Sequence, residues 1–156
     1  MTKTNAARIL DRMGIDYDLA VYEVDESDLS AENVAGKLHE DVDRVFKTLI
    51  LQGDKTGIFV CVIPGAEELD LKKAARISGN RNANMVPVKD ILAHTGYIRG
   101  GCSPVGMKRS YPTYIDECCT LYDYIYVSAG LRGLQLRLAP DDLVRVTGSV
   151  TGDLLA

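Results

Sequence analysis

The 156-residue chain carries 18 basic and 22 acidic side chains, a net charge of −4, with 46% hydrophobic and 26% charged residues. That is enough chain for one domain with a real core, of ordinary globular composition. A free-standing protein that grips nucleic acid by its phosphates is usually basic. Any RNA contact is therefore expected to be local or partner-assisted, and DNA is not an expected ligand.

Four cysteines (Cys61, Cys102, Cys118, Cys119) form no C-x-x-C pair, and only His39 and His94 could join them, so neither a zinc site nor any other metal or cofactor is expected. Adjacent Cys118 and Cys119 suggest no disulfide framework, and the pattern fits a reducing cytosol. Met1 to Asn5 lead into an amphipathic stretch without a signal-peptide hydrophobic region. The longest apolar run, Ile58 to Pro64, is too short to span a bilayer. The expectation is a cytoplasmic protein with no membrane partner.

Ala6, Ala7, Ile9, Leu10 and Met13 recur at helical spacing and Gly14 follows as a stop. Tyr17 to Val24 reads as a strand. Ser30 can cap a helix carrying Val34, Ala35 and Leu38. Val45 to Leu51 is a strand with a lysine in it. Gly53 to Gly57 turns it back into the apolar strand Ile58 to Ile63, a hairpin ended by Pro64 and Gly65. Leu71, Ala74, Ala75 and Ser78 line one face of a helix, with Lys72, Lys73 and Arg76 on its solvated side.

Gly79 to Asn84 is polar and turn-rich, and Val88, Ile91 and Leu92 suggest a short helix after Pro87. Gly96 to Gly106 is glycine-rich. Pro112 to Asp116 and Ile125 to Ser128 are strands. Gly130 to Gly133 turns into the alternating Leu134 to Leu138, and Pro140 opens a last helix. No linker, repeat or low-complexity segment interrupts residues 1–156. Turn-linked strands with inserted helices predict one α+β domain with a mixed, mainly antiparallel sheet curled toward a barrel.

Lys47 is the most informative residue. Side chains alternate along a strand, so Val45, Lys47, Leu49 and Leu51 share one face and Phe46, Thr48 and Ile50 the other. An ammonium on so apolar a surface needs an anion or a wet cleft. The plain reading, slightly favoured by this segment alone, is an edge strand blunted by an inward-pointing lysine.

Gly101 to Gly106 has the spacing of a phosphate-binding loop. Met107 and Lys108 break the match, and Tyr111-Pro112 disfavours the helix that such a loop needs. Gly100 and Gly101 still allow close backbone approach to a ligand, whose oxygen their N–H groups could hold. A tight connection between strands explains them equally well. Ser128, at a strand end, has no nearby histidine to activate it, and neither His39 nor His94 has a supporting signature. Cys102 has no neighbouring base and reads as a bystander.

Four segments stand in register: Phe46-Lys47-Thr48-Leu49, Leu69 to Ala75, Gly96 to Gly106, and Val127 to Leu134. Together they resemble the YbaK/EbsC family of aminoacyl-tRNA deacylases, relatives of the editing domains of prolyl-tRNA synthetases. The resemblance covers nearly the whole chain and reverses the odds on Lys47. It implies a compact domain around a curled sheet and removal of the wrong amino acid from tRNA, characteristically cysteine from Cys-tRNA(Pro), with Cys-tRNA(Cys) a further substrate.

The family's key lysine falls on Lys47, its loop glycines on Gly100 and Gly101, and its pocket serine on Ser128. Tyr22 and Thr48 would join the same site. Gln135 stands where some relatives carry an aspartate, and Cys102 where relatives can have an aliphatic residue.

The resemblance further implies a substrate-assisted route, in which the cysteine's thiol attacks its own ester carbonyl and expels the tRNA 3′ end. The protein would position and polarise. The partners implied are the aminoacylated tRNA 3′ end and prolyl-tRNA synthetase, with Lys72, Lys73, Arg76, Arg99, Lys108 and Arg109 available to guide an acceptor stem. The competing readings are editing of another small residue, as in Ala-tRNA(Pro), and a non-catalytic module that binds a nucleotide or a tRNA end.

Overall fold

The computed structural model describes residues 3–156. In chain order the elements are α1 (Asn5–Arg12), β1 (Tyr17–Val21), α2 (Ala31–Leu38), β2 (Phe46–Gly53), β3 (Gly57–Pro64), α3 (Leu71–Ile77), β4 (Ala83–Met85), α4 (Val88–Thr95), β5 (Thr113–Asp116), β6 (Ile125–Leu131), β7 (Leu134–Leu138), α5 (Pro140–Thr147) and β8 (Val150–Gly152). Short 3-10 turns at Val42–Arg44 and Glu117–Leu121 precede β2 and β6.

The helices start where their chemistry allows. The side chains of Thr4, Ser30 and Asp70 accept backbone N–H groups of the first turns of α1, α2 and α3. Pro87 precedes α4 and Pro140 opens α5, where a missing N–H costs nothing.

The expected α+β architecture is present, with its strands divided between two sheets. One is antiparallel, in the order β1-β7-β6; the other is mixed, β4-β2-β3-β5-β8. They do not close into a barrel: a single parallel bridge between Val45 and Tyr126 brings the start of β2 beside β6. The β2–β3 hairpin runs in unbroken register from Phe46↔Pro64 to Gly53↔Gly57. Its alternation sends Phe46 and Ile50 into the main core with Val127, Leu136 and α1, and Leu49 and Leu51 into a second cluster under α3.

The lysine strand is not an edge strand along its whole length. β4 pairs with β2 only over Leu51 to Gly53, so the Lys47 half has β3 on one side and an open flank on the other.

Two strands escaped the sequence. β4 overlaps the predicted turn-rich stretch, and β8 pairs in parallel with β5. Both have three residues, too few for a period to register. β1 stops at Val21 instead of Val24, although the Tyr22 N–H still reaches the Gly133 carbonyl at 3.0 Å.

Buried Asp116 joins the end of β5 to the last residues. One of its oxygens accepts the Leu154 N–H at 2.9 Å and the other the Cys118 N–H at 3.0 Å. Asp116→Ala leaves both donors unpaired, and a loss of about 3 kcal/mol is expected in urea unfolding. A loss below about 0.5 kcal/mol would show that these bonds do not secure the C-terminal segment.

Candidate functional site

The open flank of β2 borders a cavity of about 590 Å³. Val45 to Leu49 line it on one side, and Ser128 and Gln135 close another. These two are direct partners on β6 and β7, so both side chains stand on the same face of that sheet. The stretch between β1 and α2 contributes Tyr22, Asp28 and Leu29, α2 contributes Glu32, and the glycine-rich loop contributes Arg99, Gly100 and Cys102. Residues from both faces of β2 reach the cavity, as expected if it runs along the strand's unpaired edge.

Of the residues singled out from the sequence, the fold gathers Tyr22, Lys47, Thr48, Gly100 and Ser128 around this one space. Gly101 is not among them. It is buried behind the loop, where a Cβ would lie 3.1 Å from the Arg132 nitrogen and 3.2 Å from the Leu131 carbonyl carbon. Its N–H donates to the Ile98 carbonyl at 2.9 Å, so it is spent inside the turn. The N–H groups of Gly100 and Cys102 have no acceptor among the described residues. Gly100 holds φ at +82°, a left-handed value that glycine adopts freely.

The glycine-rich loop is a built structure. The Tyr97 hydroxyl donates to the Val105 carbonyl at 2.6 Å, and the Thr95 hydroxyl accepts the Tyr97 N–H at 3.0 Å. Burial holds the Tyr97 phenol up at about 12, so it stays a donor. No helix follows before β5, in keeping with the rejection of a nucleotide-triphosphate loop.

Two polar atoms in the cavity wall are buried and unpartnered: Thr48 Oγ1 and Gln135 Oε1. Gln135 is only 5% exposed. Leaving such atoms unsatisfied is costly, which favours a water or polar ligand group that can reach them. The partly buried Lys47 forms no ion pair among the described residues. Asp28 is occupied by the Ser30 side chain, the Ser30 N–H at 3.1 Å and the Asn33 amide at 3.3 Å, which in that order hold its carboxyl below the usual range.

Nothing in the wall is a ready nucleophile. The Ser128 oxygen accepts the Gly130 N–H at 3.1 Å, and neither histidine lines the cavity. Cys102, set aside on sequence grounds, does line it, but burial pushes its thiol up to about 11. No group of three or more metal-ligating side chains stands together among the described residues.

Of the six basic side chains proposed as guides, only Arg99 reaches the cavity; Lys73 instead pairs with Asp153 at 2.9 Å. The sequence undervalued Gln135 and gave no periodic signal for Leu29, which lies between strand and helix.

Residues 26–146 match the aminoacyl-tRNA editing domain family. The chain is 50% identical, over 93% of its length and 88% of the relative's, to an Enterococcus faecalis protein named "Putative Cys-tRNA(Pro)/Cys-tRNA(Cys) deacylase EbsC". A 79-residue stretch, 51% of this chain, is 33% identical to 14% of the proline–tRNA ligase of Fervidobacterium nodosum. Among solved structures, one described as "a putative trans-editing enzyme for prolyl tRNA synthetase" superposes with a TM-score of 0.83 at 26% identity, covering 99% of each chain. With its cavity between the lysine strand, the serine strand and the glycine loop, the chain belongs to the aminoacyl-tRNA editing domain family, on the EbsC side.

Proposed function

We propose that this protein is a trans-editing deacylase that releases cysteine from Cys-tRNA(Pro), and from Cys-tRNA(Cys) when that tRNA is presented. The observation that carries the reading is a cavity whose wall holds an unpaired ammonium and two buried, unpartnered polar oxygens, but no activated nucleophile. The name of the Enterococcus relative and the likeness to the trans-editing enzyme support the substrate. Editing is needed because a synthetase pocket rejects a similar-sized small amino acid poorly by binding alone.

The family resemblance implies that the attacking group comes from the substrate, and a cavity wall without an activated protein nucleophile fits that route. The cysteine sulfur bonds to its own ester carbonyl carbon, the bond to the tRNA 3′ oxygen breaks, and the thiol proton ends on that oxygen. The protein's contribution is orientation and charge stabilisation. Lys47 holds a phosphate or ribose oxygen of the terminal adenosine. The free N–H groups of Gly100 and Cys102 stabilise the developing oxyanion, while Gly101 shapes the loop behind them. Tyr22, Thr48, Ser128 and Gln135 orient the aminoacyl group.

The overall charge of −4 favours weak binding of the acceptor end, with tRNA identity supplied by prolyl-tRNA synthetase in the cytoplasm. The resemblance of half the chain to part of a proline–tRNA ligase supports that pairing.

The test is deacylation of Cys-tRNA(Pro), Ala-tRNA(Pro) and Cys-tRNA(Cys) by purified protein. Cysteine release with alanine retained is expected. Equal release of alanine would reject the thiol-dependent route, and saturable tRNA binding without release would reject catalysis altogether. Lys47→Ala is expected to lower kcat/KM on Cys-tRNA(Pro) about 100-fold; full activity would remove the lysine from the site. Gln135→Leu keeps the volume and deletes the amide, and is expected to raise KM about tenfold, the worth of one hydrogen bond of about 1.4 kcal/mol.

The Cys102 thiol offers a pH test. A group held at about 11 is one part in roughly a thousand thiolate at pH 8, and its alkylation rate rises about tenfold per pH unit. Mass spectrometry after iodoacetamide treatment at pH 8 should find Cys102 modified at least about 100 times more slowly than free cysteine. Labelling at the rate of free cysteine would reopen its claim as a nucleophile.

A further inference from the structure

The stretch from Asp25 to Leu29 covers one side of the cavity without belonging to either sheet. It is folded on itself: Asp25 accepts the N–H and hydroxyl of Ser27 at 3.0 and 2.6 Å, and Asp28 accepts the Ser30 N–H at 3.1 Å. Among the described residues, only one hydrogen bond or ion pair ties Asp25–Leu29 to chain beyond α2: Glu26 Oε2 meets Arg132 Nη1 at 2.6 Å.

Arg132 stands at the tip of the β6–β7 hairpin and does a second thing there. Its Nε donates to the Arg99 carbonyl at 2.8 Å, one residue before Gly100. A Cβ on Gly100 would lie 3.2 Å from both Arg132 Nε and Leu29 Cδ1, so flap, loop and guanidinium meet at one point on the rim. Nothing in the proposed chemistry has used this residue.

We propose that Arg132 is a positioning residue for deacylation, a latch that holds the Asp25–Leu29 flap and the Gly100 loop in one arrangement around the aminoacyl end. The inference rests on the editing reading above. One fork of a planar guanidinium grips the flap and another side grips the loop, a geometry that lysine cannot reproduce. The ion pair is largely exposed on the Glu26 side, which is 72% accessible, so it adds little to global stability and opens readily. A rim that must admit a tRNA end and then close over it needs such a contact.

The test pairs activity with a readout independent of it. Cys102 lines the cavity, so its labelling by methyl methanethiosulfonate reports opening of the rim. Glu26→Ala, an exposed change that removes only the flap contact, is expected to speed Cys102 labelling several-fold. It should also lower kcat/KM on Cys-tRNA(Pro) about fivefold to tenfold, with the melting temperature unchanged. Arg132→Ala, which breaks both contacts, is expected to exceed it in both readouts. Arg132→Lys should fall between, because it keeps the charge and loses the loop carbonyl.

If Arg132 instead bound a tRNA phosphate directly, Glu26→Ala would free it and raise activity, and the latch would be overturned. Unchanged labelling and unchanged kcat/KM in Glu26→Ala would overturn it equally. A wild-type chain that releases no amino acid would refute the editing reading, while the labelling series would still decide whether Arg132 holds the rim shut.

Discussion

The eight-residue register between β2 and β3 is the constraint on which the site depends. Once Phe46 is opposite Pro64, alternation leaves no freedom. Phe46 and Ile50 must enter one core and Leu49 and Leu51 the other, and Lys47 and Thr48 come out where the strand has lost its second neighbour. A slip of one residue would send the lysine toward the main core and a phenylalanine out of it. The hydrophobic cost of that exchange holds the ammonium in place without an ion pair among the described residues.

The second sheet completes the cavity by a different logic. Ser128 and Gln135 are cross-strand partners, presented together by the β6–β7 ladder just before its bulge. That bulge and the tight tip beyond it carry Arg132 back over the glycine loop. Thr48, Ser128 and Gln135 therefore lie on regular strands, where packing holds them, while Tyr22, Gly100, Cys102 and the Asp25–Leu29 flap lie on the connections. This division of labour suits a reaction in which the protein supplies orientation and the substrate supplies the nucleophile.

Strong local patterns were legible in the sequence. The lysine strand, the hairpin, the capped helices and the irregular glycine loop all follow from period, turn residues and caps. What was not legible depends on distant partners. β4 and β8 are defined by the strands beside them, not by three residues of their own. Gly101 looked equivalent to Gly100 until the fold spent its N–H on Ile98. Gln135 looked like one polar position in an alternating strand, and only its burial beside a cavity gives its oxygen meaning. The flap has no period at all, and its one long-range tie among the described residues spans 106 positions of sequence.

The protonated thiol of Cys102 has a further consequence. In the proposed route, intramolecular attack by the substrate's sulfur yields a strained cyclic thioester, an acylating agent formed within the cavity that Cys102 lines. A thiolate there would capture it and leave the protein covalently modified after few turnovers. Burial that holds the thiol at about 11 keeps it a poor competitor with water for that electrophile. In that route, the desolvation that makes this cysteine a poor nucleophile also slows its acylation by the product.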